Sequence, residues 1–156
     1  LTKDNLIKRR WVRSPRCCFC VHDETIQHLF IEYPLARLLC RSIHIAFNIN
    51  PPTSIEGLFG TWLAGINLIT ASRIRIEICA LFWAIWNCRN DMIFNRQHSL
   101  TFLQVIFRAT AWIGMWSLLT HMESREPLVT GCIQWEMVAR DIFNRFGWRS
   151  LNRIGV

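Results

Sequence analysis

The stretch over 70–91 constrains the fold more than any other part of this chain. Ile74, Ile78, Leu81, Phe82 and Ile85 recur every three to four residues, the period of one helix face. Ile76, Trp83 and Trp86 widen that stripe towards burial on all sides. Ile74, Ile76 and Ile78 also alternate like a short strand. The length of the run and its polar end at 87–91 select the helix, opened by Thr70 or Ser72.

The same period recurs elsewhere. Thr2 predicts a cap for a short helix running to about Arg10, ended by Ser14-Pro15 because the residue before a proline disfavours helical dihedrals. Pro34 suits the first turn of a second helix bearing Leu35, Leu38, Leu39, Ile43, Ala46 and Phe47, stopped by Asn50-Pro51-Pro52. Thr53 or Ser54 caps a third with Leu58, Phe59, Trp62 and Leu63, ending near Gly65 and Asn67. Ser99 opens a long helix through Phe102, Ile106, Ala109, Ile113 and Trp116 that stops before Glu126-Pro127. A last helix spans about 132–146, with Trp135, Ala139, Ile142 and Phe146 on one face and Gly147 as its cap. Glu136–Arg140 and Asp141–Arg145 form i,i+4 pairs on its other face. The expected fold is mainly α: a small finger-like segment followed by a bundle of four to five helices. The boundary falls at 33, with a basic arm and finger over 1–33 and the bundle over 34–156. Helical spacing assigns Trp83, Trp86, Trp112 and Trp116 to the core.

A hydrophobic share of 51% in 156 residues excludes a disordered tail and allows one domain with its own core. Charged residues at 19% are too few to cover such a core's outside, so apolar surface is left for a partner, a neighbouring domain or self-association. No apolar run approaches the roughly 18 residues of a membrane span. Seven cysteines, an odd number in a metal-like setting, predict reduced intracellular thiols rather than a disulfide framework.

Three of those cysteines carry the chemistry. Cys17 and Cys20 form a CxxC pair, and His28 follows in the frame Cys17-x2-Cys20-x7-His28-x4-Tyr33. Two thiols two residues apart can turn towards one ion, and imidazole completes the donor types zinc accepts best. A structural zinc takes four ligands, and Tyr33 is a poor fourth because its phenol gives up a proton only near pH 10. Cys40, two helical turns beyond Tyr33, is the thiol expected to supply the missing ligand. Cys18 and His22 are the other donors nearby.

Charge gathers next to this frame. Residues 1–16 hold six basic side chains against Asp4, which is +5 of the chain's net +7. Lys8, Arg9, Arg10, Arg13 and Arg16 are the candidates for contact with the phosphates of RNA or DNA. The acids are mostly isolated, with no paired set for two-metal chemistry, and there is neither a glycine-rich phosphate loop nor a nucleophile elbow. No enzymatic activity is expected. Glu24 and Glu32 read as solvated charges, and Glu77, mid-helix beside apolar residues, as a candidate for burial or as the i+4 partner of Arg73.

Asn5-Leu6-Ile7-Lys8-Arg9-Arg10-Trp11, Cys17-Cys18-Phe19-Cys20 and Glu24-Thr25-Ile26-Gln27-His28-Leu29-Phe30 together resemble the reverse-transcriptase zinc-binding domain of plant non-long-terminal-repeat retrotransposons. Trp83-Ala84-Ile85-Trp86-Asn87-Cys88-Arg89-Asn90-Asp91, Val138-Ala139-Arg140-Asp141 and Phe146-Gly147-Trp148 extend the likeness over nearly the whole chain. The resemblance implies a finger with Cys, Cys, His and Cys ligands, of which the first three fall on Cys17, Cys20 and His28. The fourth falls on Tyr33, and Cys40 stands where the family usually has Trp. It also implies zinc as cofactor and a non-catalytic role near RNA or DNA. A structural or protein-interaction domain docked on a polymerase body, and a remnant with no retained activity, are the alternatives.

Overall fold

The computed structural model describes residues 2–12, 14–94 and 101–146. Among them there are six α-helices and no strand: α1 (Lys3–Lys8), α2 (Pro34–Phe47), α3 (Ile55–Phe59), α4 (Leu68–Phe94), α5 (Phe102–Ser117) and α6 (Met122–Phe146). One bridge joins Arg16 to Asp23, and a π-helical turn, His28–Glu32, leads into α2. This is the expected finger-like segment followed by a helical bundle. None of the described helices is long and apolar enough to cross a membrane.

α5 packs between α4 and α6, and α2 closes the other side of α6. The apolar stripes meet in one core built around Leu39, Ile43, Leu81, Ile106, Ile113 and Trp135. A buried indole N–H requires an acceptor. Trp135 Nε1 donates to Ser42 Oγ at 2.6 Å, and that hydroxyl donates to the Leu39 carbonyl at 2.6 Å. The chain of bonds fixes α6 on α2. Phe19, Leu29 and Tyr33 belong to the same core, so the segment before residue 34 packs on the bundle instead of forming a core of its own.

Several boundaries differ from the sequence reading, each for a local reason. α1 stops at Lys8 because Arg10 turns left-handed, with φ of 65°. Thr2 makes no cap hydrogen bond; its hydroxyl accepts from Asn5 Nδ2 at 3.0 Å. Asn67, expected to end a helix, begins one: its Oδ1 accepts from the Thr70 amide at 2.9 Å. Ser99 and Gly147, expected as caps, lie outside the described residues. α5 is capped by Thr101, whose hydroxyl accepts from the Gln104 amide while the Gln104 side chain accepts from the Thr101 amide. α6 runs through Pro127, so it begins about ten residues earlier than expected. A proline there removes one hydrogen bond to a carbonyl in a first turn that is exposed to water, a cost the rest of the helix absorbs.

The tryptophan expectation also changes. Trp83 is 43% exposed, and Trp86, Trp112 and Trp116 pack only partly against the core. Trp83 meets Trp112 edge-on at 6.1 Å, and Trp112 lies 6.1 Å from Trp116. They form one wall of the molecule's outside, because α4 carries apolar residues on more faces than α5 can cover.

Glu77 sits in the middle of α4 at 1% exposure. Arg73 Nε is 3.9 Å away, near enough to attract and too far to donate a hydrogen bond, and neither Glu77 oxygen has another partner. Burial raises its carboxyl from the usual range to about 7, with Arg73 pulling the other way. The carboxylate fits there because residue 131 is glycine: a Cβ on Gly131 would stand 2.8 Å from Glu77 Oε1.

Candidate metal centre

The CxxC turn is shaped by its own amides. Phe19 N–H donates to Cys17 Sγ at 3.4 Å. A hydrogen bond from Cys17 N to the His22 carbonyl, 2.7 Å long, closes the loop over 17–22. The π-helical turn then delivers His28 from the far side. Its Nε2 lies 3.1 Å from Cys20 Sγ, and its Nδ1 faces the Glu32 carboxylate at 3.9 Å. At that distance the carboxylate attracts the ring without accepting its hydrogen, and a closer approach would give the hydrogen-bonded outer shell usual for a metal-binding histidine.

Cys17 Sγ, Cys20 Sγ and a His28 ring nitrogen all lie within 4.8 Å of one another. The Cys17 thiol is lowered to about 5, first by a hydrogen bond from Cys18, then by the Phe19 amide and His28, against the pull of burial. Cys18 is pushed the other way, since its proton is held between the two sulfurs. The Cys20 thiol is raised, chiefly by burial. Two thiols and an imidazole at this separation suit a zinc-class ion, which binds as thiolate and neutral imidazole.

Tyr33 stands against this set. It is 1% exposed, its ring stacks on Phe19 at 5.0 Å and its centroid is 6.2 Å from that of His28. Its hydroxyl is buried without a hydrogen-bond partner. Burial, followed by the charges of Cys17, Cys20 and Cys18, raises the phenol well above its ordinary value, which makes Tyr33 a poor ligand. Cys40 is not brought into the set. It is buried within α2, and burial alone raises its thiol to about 12. The reason is the direction of the helix: Pro34 starts α2 directly after Tyr33, and Cys40 falls on its core-facing stripe with Leu39 and Ile43. His22 does approach, with Nδ1 3.7 Å from Cys20 Sγ and its ring 5.5 Å from that of His28.

Glu24 departs furthest from the sequence reading. It is fully buried. Its carboxylate accepts from Arg89 Nη2 at 2.6 Å and Arg89 Nε at 3.2 Å, and Oε1 also accepts from the Lys3 amide at 3.0 Å. The Glu24 backbone carbonyl takes the Asp4 amide at 3.2 Å. One residue therefore holds the start of α1, the cysteine loop and α4 together. Arg89 also lies 5.0 Å over the Trp86 ring. Glu24 forms a second group with Cys17 and Cys18, but its two oxygens are already taken by Arg89. Only the pairing of an acid and a base 65 residues apart could have announced this, and spacing does not encode it.

Lys8, Arg9, Arg10 and Arg16 are exposed, and none of them makes an ion pair among the described residues. Arg13 lies outside those residues. Lys3 Nζ donates to the Arg16 carbonyl, which ties α1 to the strand of chain entering the cysteine loop. On the opposite flank, a groove of about 740 Å³ runs between α1, α3 and α4 and is lined by Phe30, Phe59, Phe82, Trp83, Trp86 and Trp116 among others. Compared with protein-family models, curated proteins and solved structures, the chain matches none of them.

Proposed function

We propose that this is a non-catalytic, intracellular accessory domain of the retroelement zinc-binding type, in which Cys17, Cys20 and His28 hold zinc and the basic arm contacts RNA or DNA. The zinc stiffens the turn from which the arm departs. Lys8, Arg9, Arg10 and Arg16, with Arg13 between them in sequence, lie against phosphates and release counterions. The observation that carries the reading is the exposed set of unpaired cations fastened to the cysteine loop through Glu24 and Lys3. A cation already paired with a carboxylate gains little from a phosphate, and these four are not.

Titrating the full chain with single-stranded RNA and with duplex DNA over a range of salt concentrations tests it. Four phosphate contacts give a slope of log K on log salt of about −3 on single strands and about −4 on duplex. Arg9→Ala with Arg10→Ala should flatten the slope by about half. Binding that ignores salt, or no binding at low salt, refutes the reading.

A second reading rests on the groove beside α1 and α4. The residues lining it include no charged side chain, which suits an apolar protein surface better than a phosphate chain. Docking on a polymerase body, or pairing of two copies, would bury it. A salt-insensitive, concentration-dependent association weakened by Trp83→Ser would favour this reading over the first.

A further inference from the structure

We propose that His22 is the fourth ligand of the Cys17, Cys20 and His28 set, making a centre of two sulfurs and two nitrogens. The inference rests on the metal reading above and names the residue that the frame in the sequence leaves open.

Four observations converge on it. His22 Nδ1 stands 3.7 Å from Cys20 Sγ. With metal–sulfur and metal–nitrogen bonds of ordinary zinc length, two donors of a tetrahedral site lie about 3.6 Å apart. The ring of His22 sits 5.5 Å from the ring of His28, inclined by 33°, so the two imidazoles are neighbours. The loop is already closed at His22, whose carbonyl accepts from Cys17 N at 2.7 Å. A ligand on that residue therefore adds no new turn to the backbone. The side chain itself is exposed, and turning it onto an ion displaces only water.

The competing donors are otherwise engaged. Cys40 is packed into the bundle on α2. The Cys18 sulfur groups with Cys17 and Glu24; His22 also stands outside the close Cys17, Cys20 and His28 group, at 3.7 Å from Cys20, and joins it by a turn of its exposed side chain. Glu24 is bound by Arg89. A centre of two thiolates and two neutral imidazoles is also electrically neutral with a divalent ion. The ligand spacing becomes Cys17-x2-Cys20-x-His22-x5-His28, and Tyr33 covers the site without joining it.

The test is X-ray absorption at the zinc edge of the full chain loaded with one equivalent of zinc, together with zinc affinities from competition with a chromophoric chelator. The expected first shell is two sulfurs and two nitrogens. Three sulfurs, or a light-atom shell unchanged in His22→Ala, overturns the assignment. Loss of an outer-shell partner costs a metal site about 10- to 100-fold, so loss of a true ligand should exceed about 100-fold. His22→Ala is expected to weaken zinc by more than that, Cys40→Ala to leave it unchanged, and His22→Cys to restore tight binding with a third sulfur in the shell. That rescue separates loss of a ligand from loss of fold. Equal affinity in His22→Ala and the parent chain sinks the role of His22 while leaving the three-residue metal site intact. A parent chain that binds zinc no better than Cys17→Ser removes the metal reading itself, and His22 with it.

Discussion

Raising the pH weakens this fold through Glu77. The residue is 1% exposed, its oxygens have no hydrogen-bond partner, and Arg73 stands 3.9 Å away. Its carboxyl is raised from 4.5 to about 7 in the folded chain. The folded state therefore holds a proton that the unfolded chain has already released. The stability tied to that proton is fully present below pH 4.5 and is lost as pH rises through about 7. The gap, 7 minus 4.5, is 2.5 units, and at 1.36 kcal/mol per unit the loss is about 3 kcal/mol. That is a large share of a domain's usual margin of about 5–15 kcal/mol. Cys17 works in the opposite sense. Its thiol is lowered to about 5, so its contribution is present at high pH and fades as pH falls through that value. The wild-type curve mixes the two, and a subtraction separates them. Urea unfolding followed by tryptophan fluorescence, repeated from pH 4.5 to 8.5 on the parent and on Glu77→Gln, gives the difference at each pH. The glutamine variant should gain about 3 kcal/mol on the parent across that range, with the change centred at about pH 6, between 4.5 and about 7, and nearly complete by pH 7. A difference that stays flat would falsify the assignment of a buried, unpaired carboxylate.

Two further expectations concern the framework. Arg89→Met leaves Glu24 charged and buried, and should cost about 3–5 kcal/mol in urea unfolding, whereas adding Glu24→Gln to it should recover part of the loss; a larger loss in the double variant would contradict the pairing. Thr101→Ala removes the capping box of α5 and should lower stability by about 1 kcal/mol with the circular dichroism spectrum unchanged; an unchanged unfolding midpoint would mean that the cap carries no weight.

Much of the bundle was legible because burial here follows helical period. Leu39 and Ile43 on α2, Ile74, Ile78 and Leu81 on α4, and Ile106 and Ile113 on α5 all point inward as their spacing predicts. Boundaries were less legible where one residue can play two parts. Asn67 can close a helix or open one, and the outcome depends on the turn before it. The Thr101–Gln104 box was readable as a threonine followed three residues later by a glutamine, and the nearby Ser99 drew attention away from it. Pro127 misled because a proline near a helix start costs far less than one in the middle. The metal frame was legible in Cys17, Cys20 and His28, whose separation in sequence is short enough to fix their separation in space. Cys40 was not, because its position depends on where α2 points. Glu24 escaped for a related reason: an acid's burial is decided by helices far along the chain, whereas Glu77 was flagged by its apolar neighbours within α4.

The Glu24–Arg89 pair also sets an order of events during synthesis. The two residues are 65 apart, and at about 5–20 residues per second the arginine is made roughly 3–13 seconds after the glutamate. Joining them closes a loop whose length alone costs about 4 kcal/mol of chain entropy. The cysteine loop is therefore born without the partner that seats it, and α1 without the carboxylate that holds its first amide. Cys17, Cys20, His22 and His28, by contrast, all emerge within twelve residues of one another. On the proposed reading, an ion captured there keeps the nascent segment folded back on itself until α4 arrives to receive it.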